Sequence, residues 1–314
     1  MKAITELQAA FRNGSLPRDD YWRAMQQSFN FLHQLQGLLI DGEAARVEIR
    51  ADELHVITHE GLRMVWHTED VRSAPNIIMT QSHYEPADAP FLLAAARHSN
   101  VILDVGANAG YYALRFAHQG GPNCRVHAFE PVPSTFLRLS RNIEINQMTD
   151  RIVAHPFGFS RDSRSATIYL PAFSGNSAAS LRDLHPSERS EKIEVPLRRL
   201  DDFCKELQPE RIDLIKIDVE GAELSVLQGG LQALRTYRPV IFMELLRKWA
   251  KPFGYHPNDV IALLGAEGYR CWTVEAGRLT PFERMDDDTV QTNFFFARPE
   301  ARLECLQPDG AHCS

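Results

Sequence analysis

Val101-Ile102-Leu103-Asp104-Val105-Gly106-Ala107-Asn108-Ala109-Gly110 is the stretch on which the fold turns. Its first half is a short apolar run with one carboxylate, the length and character of a buried strand. Gly106 ends that run, and a helical pattern over 111–119 begins directly after Gly110. A strand that gives way to a helix through glycines is the ligand-binding turn of an open parallel sheet. The glycines allow a sharp turn and a close backbone approach by a ligand. A dinucleotide site would read GxGxxG. This loop reads GxxxG, with Asn108 at its centre and Asp104 before it. An acidic entry suits a cationic or zwitterionic ligand better than a pyrophosphate.

Working outward, strands and helices alternate. RVHAFEP (125–131) is a second strand, the segment from Pro133 to Gln147 a helix, and RIVAHPFG (151–158) a third strand. DLIKIDVEG (213–221) is a fourth strand, followed by a helix ending near Arg235, and PVIFMEL (239–245) is a fifth. A helix over 257–267 precedes YRCWTVE (269–275) and TNFFFARP (292–299), which form a final antiparallel pair. This alternation predicts an α/β fold: a mainly parallel sheet of seven strands, helices on both faces, and a C-terminal antiparallel hairpin. Glu130 closes the second strand, where a carboxylate can accept the hydroxyls of a ribose. An acidic glycine loop followed by a ribose carboxylate describes an adenosine ligand with an amino-acid head and no phosphate. S-adenosylmethionine fits that description.

The rhythm is broken twice. Residues 1–40 carry a helical pattern interrupted at Gly14–Pro17, and 45–68 alternate like a small antiparallel meander. Residues 1–74 therefore form an N-terminal appendage, a cap or a dimer contact, with Trp22, Phe29 and Phe31 supplying apolar surface. Residues 159–210 form an insertion with the small-residue loop PAFSGNSAAS (171–180) and the strand-like KIEVPL (192–197). An interruption of that length is more often functional than idle. Residues 299–314 read as a flexible tail.

Composition narrows the function. Hydrophobic residues make up 44% of the 314, and the net charge is −7 with no basic tract, so a nucleic-acid partner is not expected. Five scattered cysteines without a CxxC pair argue against a disulfide framework or a structural zinc site. No apolar run approaches the ~18 residues of a membrane helix, and the N-terminus has no signal-peptide core, so a soluble cytoplasmic protein without a membrane partner is expected.

DVGANAGYYAL, AFEPVPSTFLRLSRNIEIN and DLIKIDVEGAELSVLQGG resemble the FkbM-type family of S-adenosylmethionine-dependent class I O-methyltransferases, and HYEPADAPFLL (83–93) is similar to a segment usual there. The resemblance covers about residues 75–298, which marks them as a methyltransferase domain with a Rossmann-like fold. It implies that Asp104, Gly106, Asn108 and Gly110 lie beneath the methionine moiety, that Glu130 holds the ribose with Pro131 after it, and that Glu85 lies near the cofactor. It also implies that Phe157 and Gly158 contact the adenine. The family's range implies a hydroxyl of a sugar, a glycan unit or a secondary metabolite as acceptor.

Methyl transfer to a hydroxyl needs alignment, exclusion of water and a place for the acceptor's proton. Asp218 and Glu220, at the end of the fourth strand, are the candidate catalytic pair, with Asp218 also facing the cofactor. Strand alternation places Lys216 on the same side as both. Three polar groups on one side of a buried strand pair with each other or bind something. Glu244 ends the fifth strand on the same rim. Lys216, Glu244, Asn176 and Ser177 are the candidate substrate contacts, the last two in the lid-like run Ser174-Gly175-Asn176-Ser177. Asp218 and Glu244 together suit a divalent metal such as Mg²⁺. His155 and His185 are within plausible reach of the site, Asn293 borders its rim, and Phe294–Phe296 read as core strand. An N- or RNA-methyltransferase, a non-catalytic S-adenosylmethionine-binding protein, and a dinucleotide oxidoreductase remain the competing readings, the last opposed by the missing GxGxxG.

Overall fold

A computed structural model describes residues 4–172, 175–187, 189–301 and 306–308. Two helices, Ile4–Arg12 and Arg18–Leu38, lead into an antiparallel meander of β1 (Ala44–Ile49), β2 (Leu54–Thr58) and β3 (Arg63–Val65). The helix pair has a small core of its own, Leu7, Tyr21 and Met25. Trp22 and Phe29 stand outside it, 56% and 48% exposed, and the Phe31 side chain lies outside the described residues. The meander is built differently. Ala44, Val56 and Met64 join the same core as Ile102 and Phe116. Asn142 and Asn146 stitch it to the helix Pro133–Ile145 by accepting the Val65 and Arg63 amides, each at 2.8 Å.

After the helices Ala74–Gln81 and Ala89–Arg97 comes the central sheet. β4 (Val101–Val105), β5 (Arg125–Phe129) and β6 (Ile152–His155) run parallel in that order outward. β7 (Gly158–Phe159), β8 (Arg164–Pro171) and β9 (Ser190–Arg198) leave it to form a separate three-stranded sheet with β9 in the middle. The insertion is thus a folded hairpin sheet more than a loop. β10 (Leu214–Ile217) lies beside β4, and β11 (Val240–Glu244) beside β10, both parallel. β12 (Arg270–Glu275), β13 (Arg278–Phe282) and β14 (Asn293–Ala297) finish the sheet in the order β11-β14-β12-β13, all three new contacts antiparallel. β14 is buried at every position, as a strand covered on both faces must be.

Three expectations change in detail. The sheet has eight strands where seven were expected. The additional one, β13, follows β12 through Ala276-Gly277, whose φ values of 47° and 73° make a type I′ hairpin turn without the usual Asn-Gly signal. The third strand, expected over 151–158, divides at Pro156, which has no amide hydrogen to offer a ladder. The fourth, expected to run to Gly221, stops at Ile217, and Glu220 and Gly221 turn away at φ 50° and 98°.

In the expected tail, Leu306 is buried against the main core and the Pro308 carbonyl accepts a bond from Arg97 at 3.3 Å. Residues 302–305 and 309–314 lie outside the described residues. Among the described residues, no helix is long and apolar enough to cross a membrane.

Candidate functional site

A cavity of about 560 Å³ opens beyond the carboxyl ends of β4, β5, β10 and β11. Its floor is the loop after β4. Gly106 takes φ 80°, and a Cβ there would fall 1.8 Å from the Asp218 carbonyl oxygen, so no other residue lets the β4 and β10 loops approach so closely. Asn108, at φ 50°, accepts the Ala109 amide on its own Oδ1 at 2.6 Å, a local bond that makes a left-handed residue tolerable. Gly110 caps the following helix at φ 90° with Leu139 directly behind it.

Glu130 sits where β5 ends, 6% exposed. Its two carboxylate oxygens accept the Asn108 amide at 3.0 Å and the Val132 amide at 2.8 Å. Burial nevertheless dominates and pushes its pKa up to about 7. Each oxygen keeps a lone pair for a further donor. Pro131 and Gly158 line the same end of the cavity. Phe157 does not: its ring packs 5.5 Å from Phe129, with the Arg198 guanidinium 5.0 Å from its centroid on the other side. Phe159 lines the cavity in its place, because the chain re-phases after Pro156 when β7 joins the second sheet.

Asp104 is completely buried beneath the loop, not in the cavity wall. It lies 3.6 Å from the Lys216 ammonium, which is 3.3 Å from Asp218 and 5.3 Å from the centre of the Tyr112 ring. Burial opposes the charge on Lys216, but Asp218, Asp104 and Glu85 outweigh it and hold the ammonium protonated above its ordinary range. The expected pairing of Lys216 with a carboxylate is therefore present, and Lys216 still reaches the cavity.

One carboxylate oxygen from each of Asp218, Glu220 and Glu244 lies within 4.8 Å of the others. Burial and then the Asp218 charge push Glu220 up to about 8, and the same two causes raise Glu244 well above the carboxylate range. Like charges this close cannot all ionise unless a cation joins them. Glu220 Oε2 is enclosed and makes no hydrogen bond. Glu85, at φ 48°, accepts a short hydrogen bond from the Tyr112 hydroxyl, and its burial lifts it to about 7.

The opposite wall comes from distant segments. Asn176 donates to Ser134 Oγ at 2.9 Å, and Ser177 donates to Asp70 Oδ2 at 3.3 Å. Asp70 is in turn locked to the buried Arg138 at 2.7 Å. Both loop residues line the cavity, as expected, whereas Ser174 lies outside the described residues. His155 faces His127 in a stacked pair and stays out of the cavity. His185 packs against Trp249, itself a lining residue. Asn293 is buried behind the rim and donates to Asp88 at 3.0 Å. Tyr84, Arg72, Lys248 and Trp249 line the cavity without having been singled out. Only Tyr84 carried a signal, next to Glu85 in HYEPADAPFLL.

A parallel sheet with β14 slipped antiparallel between β11 and β12, and a glycine-floored cavity at its switch point, define a Rossmann-like class I methyltransferase fold. The sequence profile of the methyltransferase FkbM domain matches residues 104–271, more than half of the chain, and the chain belongs to that family. It is 33% identical over 144 residues to Methyltransferase 1 of Beauveria bassiana, covering 41% of this chain and 57% of that one. It is 32% identical over 223 residues to methyltransferase sdnD of Sordaria araneosa, covering 61% and 79%. It is 36% identical over 152 residues to the 2-O-methyltransferase NoeI of Sinorhizobium fredii, covering 44% and 60%. The chain thus spans about three fifths of the length of the first and third of these relatives.

Proposed function

We propose that this protein is an S-adenosylmethionine-dependent O-methyltransferase acting on a hydroxyl of a sugar, glycan unit or secondary metabolite. The observation that carries the reading is a single cavity with the Gly106 floor and the Glu130 carboxylate at one end and the Asp218, Glu220 and Glu244 rim at the other. The cavity fits the methyl donor on three counts. Gly106 lets the β4 and β10 loops close together as the cavity floor, Glu130 retains acceptor capacity, and the carboxylate rim suits a ligand bearing an ammonium and a sulfonium. The 2-O-methyltransferase name of one relative supports an oxygen acceptor.

When bound, S-adenosylmethionine supplies a methyl group on a sulfonium that leaves without needing an acid. The protein's own task is alignment and proton handling. Asp218, with the Lys216 ammonium beside it, takes the acceptor's hydroxyl proton. Glu220 and Glu244, both raised by burial and by the Asp218 charge, bind the acceptor by hydrogen bonds. Asn176 and Ser177, tied to the scaffold, close the cavity on the acceptor side.

Calorimetric titration with S-adenosylmethionine, followed by a hydroxyl-acceptor screen read as S-adenosylhomocysteine, tests this. Absence of binding to pure protein overturns it, and binding without transfer to any acceptor leaves a non-catalytic binding protein. The spacing of the three carboxylates favours a second reading of the rim, a site for a divalent cation such as Mg²⁺. Loss of turnover in EDTA, restored by Mg²⁺, supports that reading, and unchanged turnover removes it. The exposed Trp22 and Phe29 support a contact between copies through the N-terminal helices, which light scattering on protein lacking residues 1–40 tests.

A further inference from the structure

Across the Gly221–Ala222 step from the acidic rim lies a second cleft, of about 540 Å³. Leu181 and Ala222 line both cavities, so the two are neighbours across one thin wall. Their chemistry is opposite. The first is rimmed by carboxylates, whereas Arg161, Arg164 and Arg182 converge on the second. Arg161 is neutralised by Asp162 at 3.0 Å. The side chains of Arg164 and Arg182 have no ion-pair or hydrogen-bond partner among the described residues. Arg182 is held with its guanidinium 5.7 Å from the centre of the Phe253 ring, a stacked pose that leaves its edge free to bind. Tyr169 and Tyr255 add further ring surface to the same walls.

We propose that this cleft binds an acidic group of the acceptor, a carboxylate or phosphate remote from the hydroxyl that is methylated. The proposal rests on the O-methyltransferase reading for the word acceptor, but the anion site itself does not. Planar guanidiniums bind carboxylate and phosphate oxygens in pairs. The aromatic faces beside them suit the flat apolar face of a sugar ring. In a chain of net charge −7, two unpaired arginines in one concavity are a local reversal of sign. An acidic saccharide or a phosphate-linked sugar spanning the shared wall would satisfy both cavities at once.

The test is calorimetric titration of the full chain with three probes: tetragalacturonate, inorganic pyrophosphate and neutral maltotetraose. The same titrations are run on the double variant Arg164→Gln/Arg182→Gln, both of whose side chains are exposed and of which only Arg182 touches a ring, that of Phe253. At least one anionic probe should bind the wild type, and the double variant should bind it about tenfold more weakly or worse. S-adenosylmethionine binding should not change. Galacturonate binding alone assigns an acidic sugar, and pyrophosphate binding alone assigns a phosphate. The proposal is overturned if neither anion binds, if maltotetraose binds as well as the acidic tetramer, or if the double variant binds as tightly as the wild type. Failure of the wild type to bind S-adenosylmethionine would sink the methyltransferase reading and leave the anion titration standing on its own.

Discussion

The two ends of the main cavity are built in different ways. The Gly106 and Glu130 end comes from two consecutive β-loop units tied by local backbone amides that donate to the Glu130 carboxylate, with the Asp218 carbonyl closing on Gly106 from the β10 loop. The acceptor end is assembled from far-apart segments: Asp70 from beyond the meander, Arg138 from a core helix, Ser177 from the insertion. The first end is rigid because the turn geometry itself demands it. The second is rigid only while buried side-chain bonds between segments hold. Substitutions at the first should act on cofactor binding, and those at the second on stability, the acceptor and turnover.

The largest expected effect lies where the two ends meet. If Asp218 takes the acceptor's proton as proposed, Asp218→Ala should lower kcat by roughly 10²- to 10⁴-fold. Because Asp218 lines the same cavity as Gly106 and Glu130, the division of effects is informative. A loss confined to S-adenosylmethionine affinity, with kcat preserved at saturation, would move the base to Glu220 or Glu244. Next comes Asp70→Ala. It strands the Arg138 guanidinium in a pair whose side chains are 7% and 6% exposed, and removing one partner of a buried pair costs about 3–5 kcal/mol. Urea denaturation should show that loss. A change below 1 kcal/mol would mean that the acceptor wall stands without its lock.

Glu130→Ala probes the other end. Loss of a charged acceptor for hydroxyl donors should weaken S-adenosylmethionine by about ten- to a hundredfold, with little effect on acceptor KM. Weakening of both together would dissolve the division between the two ends. The pH dependence of ligand-free stability compares them directly. Glu85 and Glu130 titrate near 7 and Glu220 near 8 in the folded chain, all above the ordinary 4.5. The folded protein therefore binds more protons than the unfolded chain across that window. Their stabilisation is complete below about 4.5 and is lost as pH rises through 7 to 8, by at most about 1.4 kcal/mol per pH unit for each group. Glu220→Gln should flatten the upper part of the profile and Glu130→Gln the middle. The buried pair His127 and His155, both lowered by desolvation, adds an opposite slope below about 6.5, so the carboxylates are read from the difference between variant and wild type, and Glu→Gln profiles that parallel the wild type would show that they are not sequestered.

The same division explains what the sequence made legible. The glycine loop, Glu130 and the acidic strand ends were readable because local chain geometry requires those residue types at those spacings. Lys216 and Asp218 met as strand alternation predicts, but Glu220 reached the rim by a positive-φ turn, which no periodicity encodes. Phe157 was displaced by Phe159 because Pro156 ended one ladder before β7 began another. β13 escaped notice because Ala276 occupies a conformation usually left to Asn or Gly. Arg72, Lys248 and Trp249 line the cavity too, and only packing over long sequence separations brings them to it.

The smallest effect is the sharpest on the acceptor side. Asn176 is held by one bond to Ser134 Oγ, 2.9 Å long and solvent-exposed. An exposed neutral bond contributes about 0.5–1.5 kcal/mol, so Asn176→Ala should raise the acceptor KM roughly two- to tenfold. S-adenosylmethionine affinity and kcat at saturating acceptor should stay where they are, and stability should fall by no more than that amount, because the bond touches neither the Asp70 lock nor the glycine floor. Ser134→Ala removes the same bond from the other partner and should reproduce the shift if Asn176 acts by holding the loop in place. If Asn176→Ala raises KM and Ser134→Ala does not, the amide contacts the acceptor itself, and the loop is part of the binding surface as well as its cover.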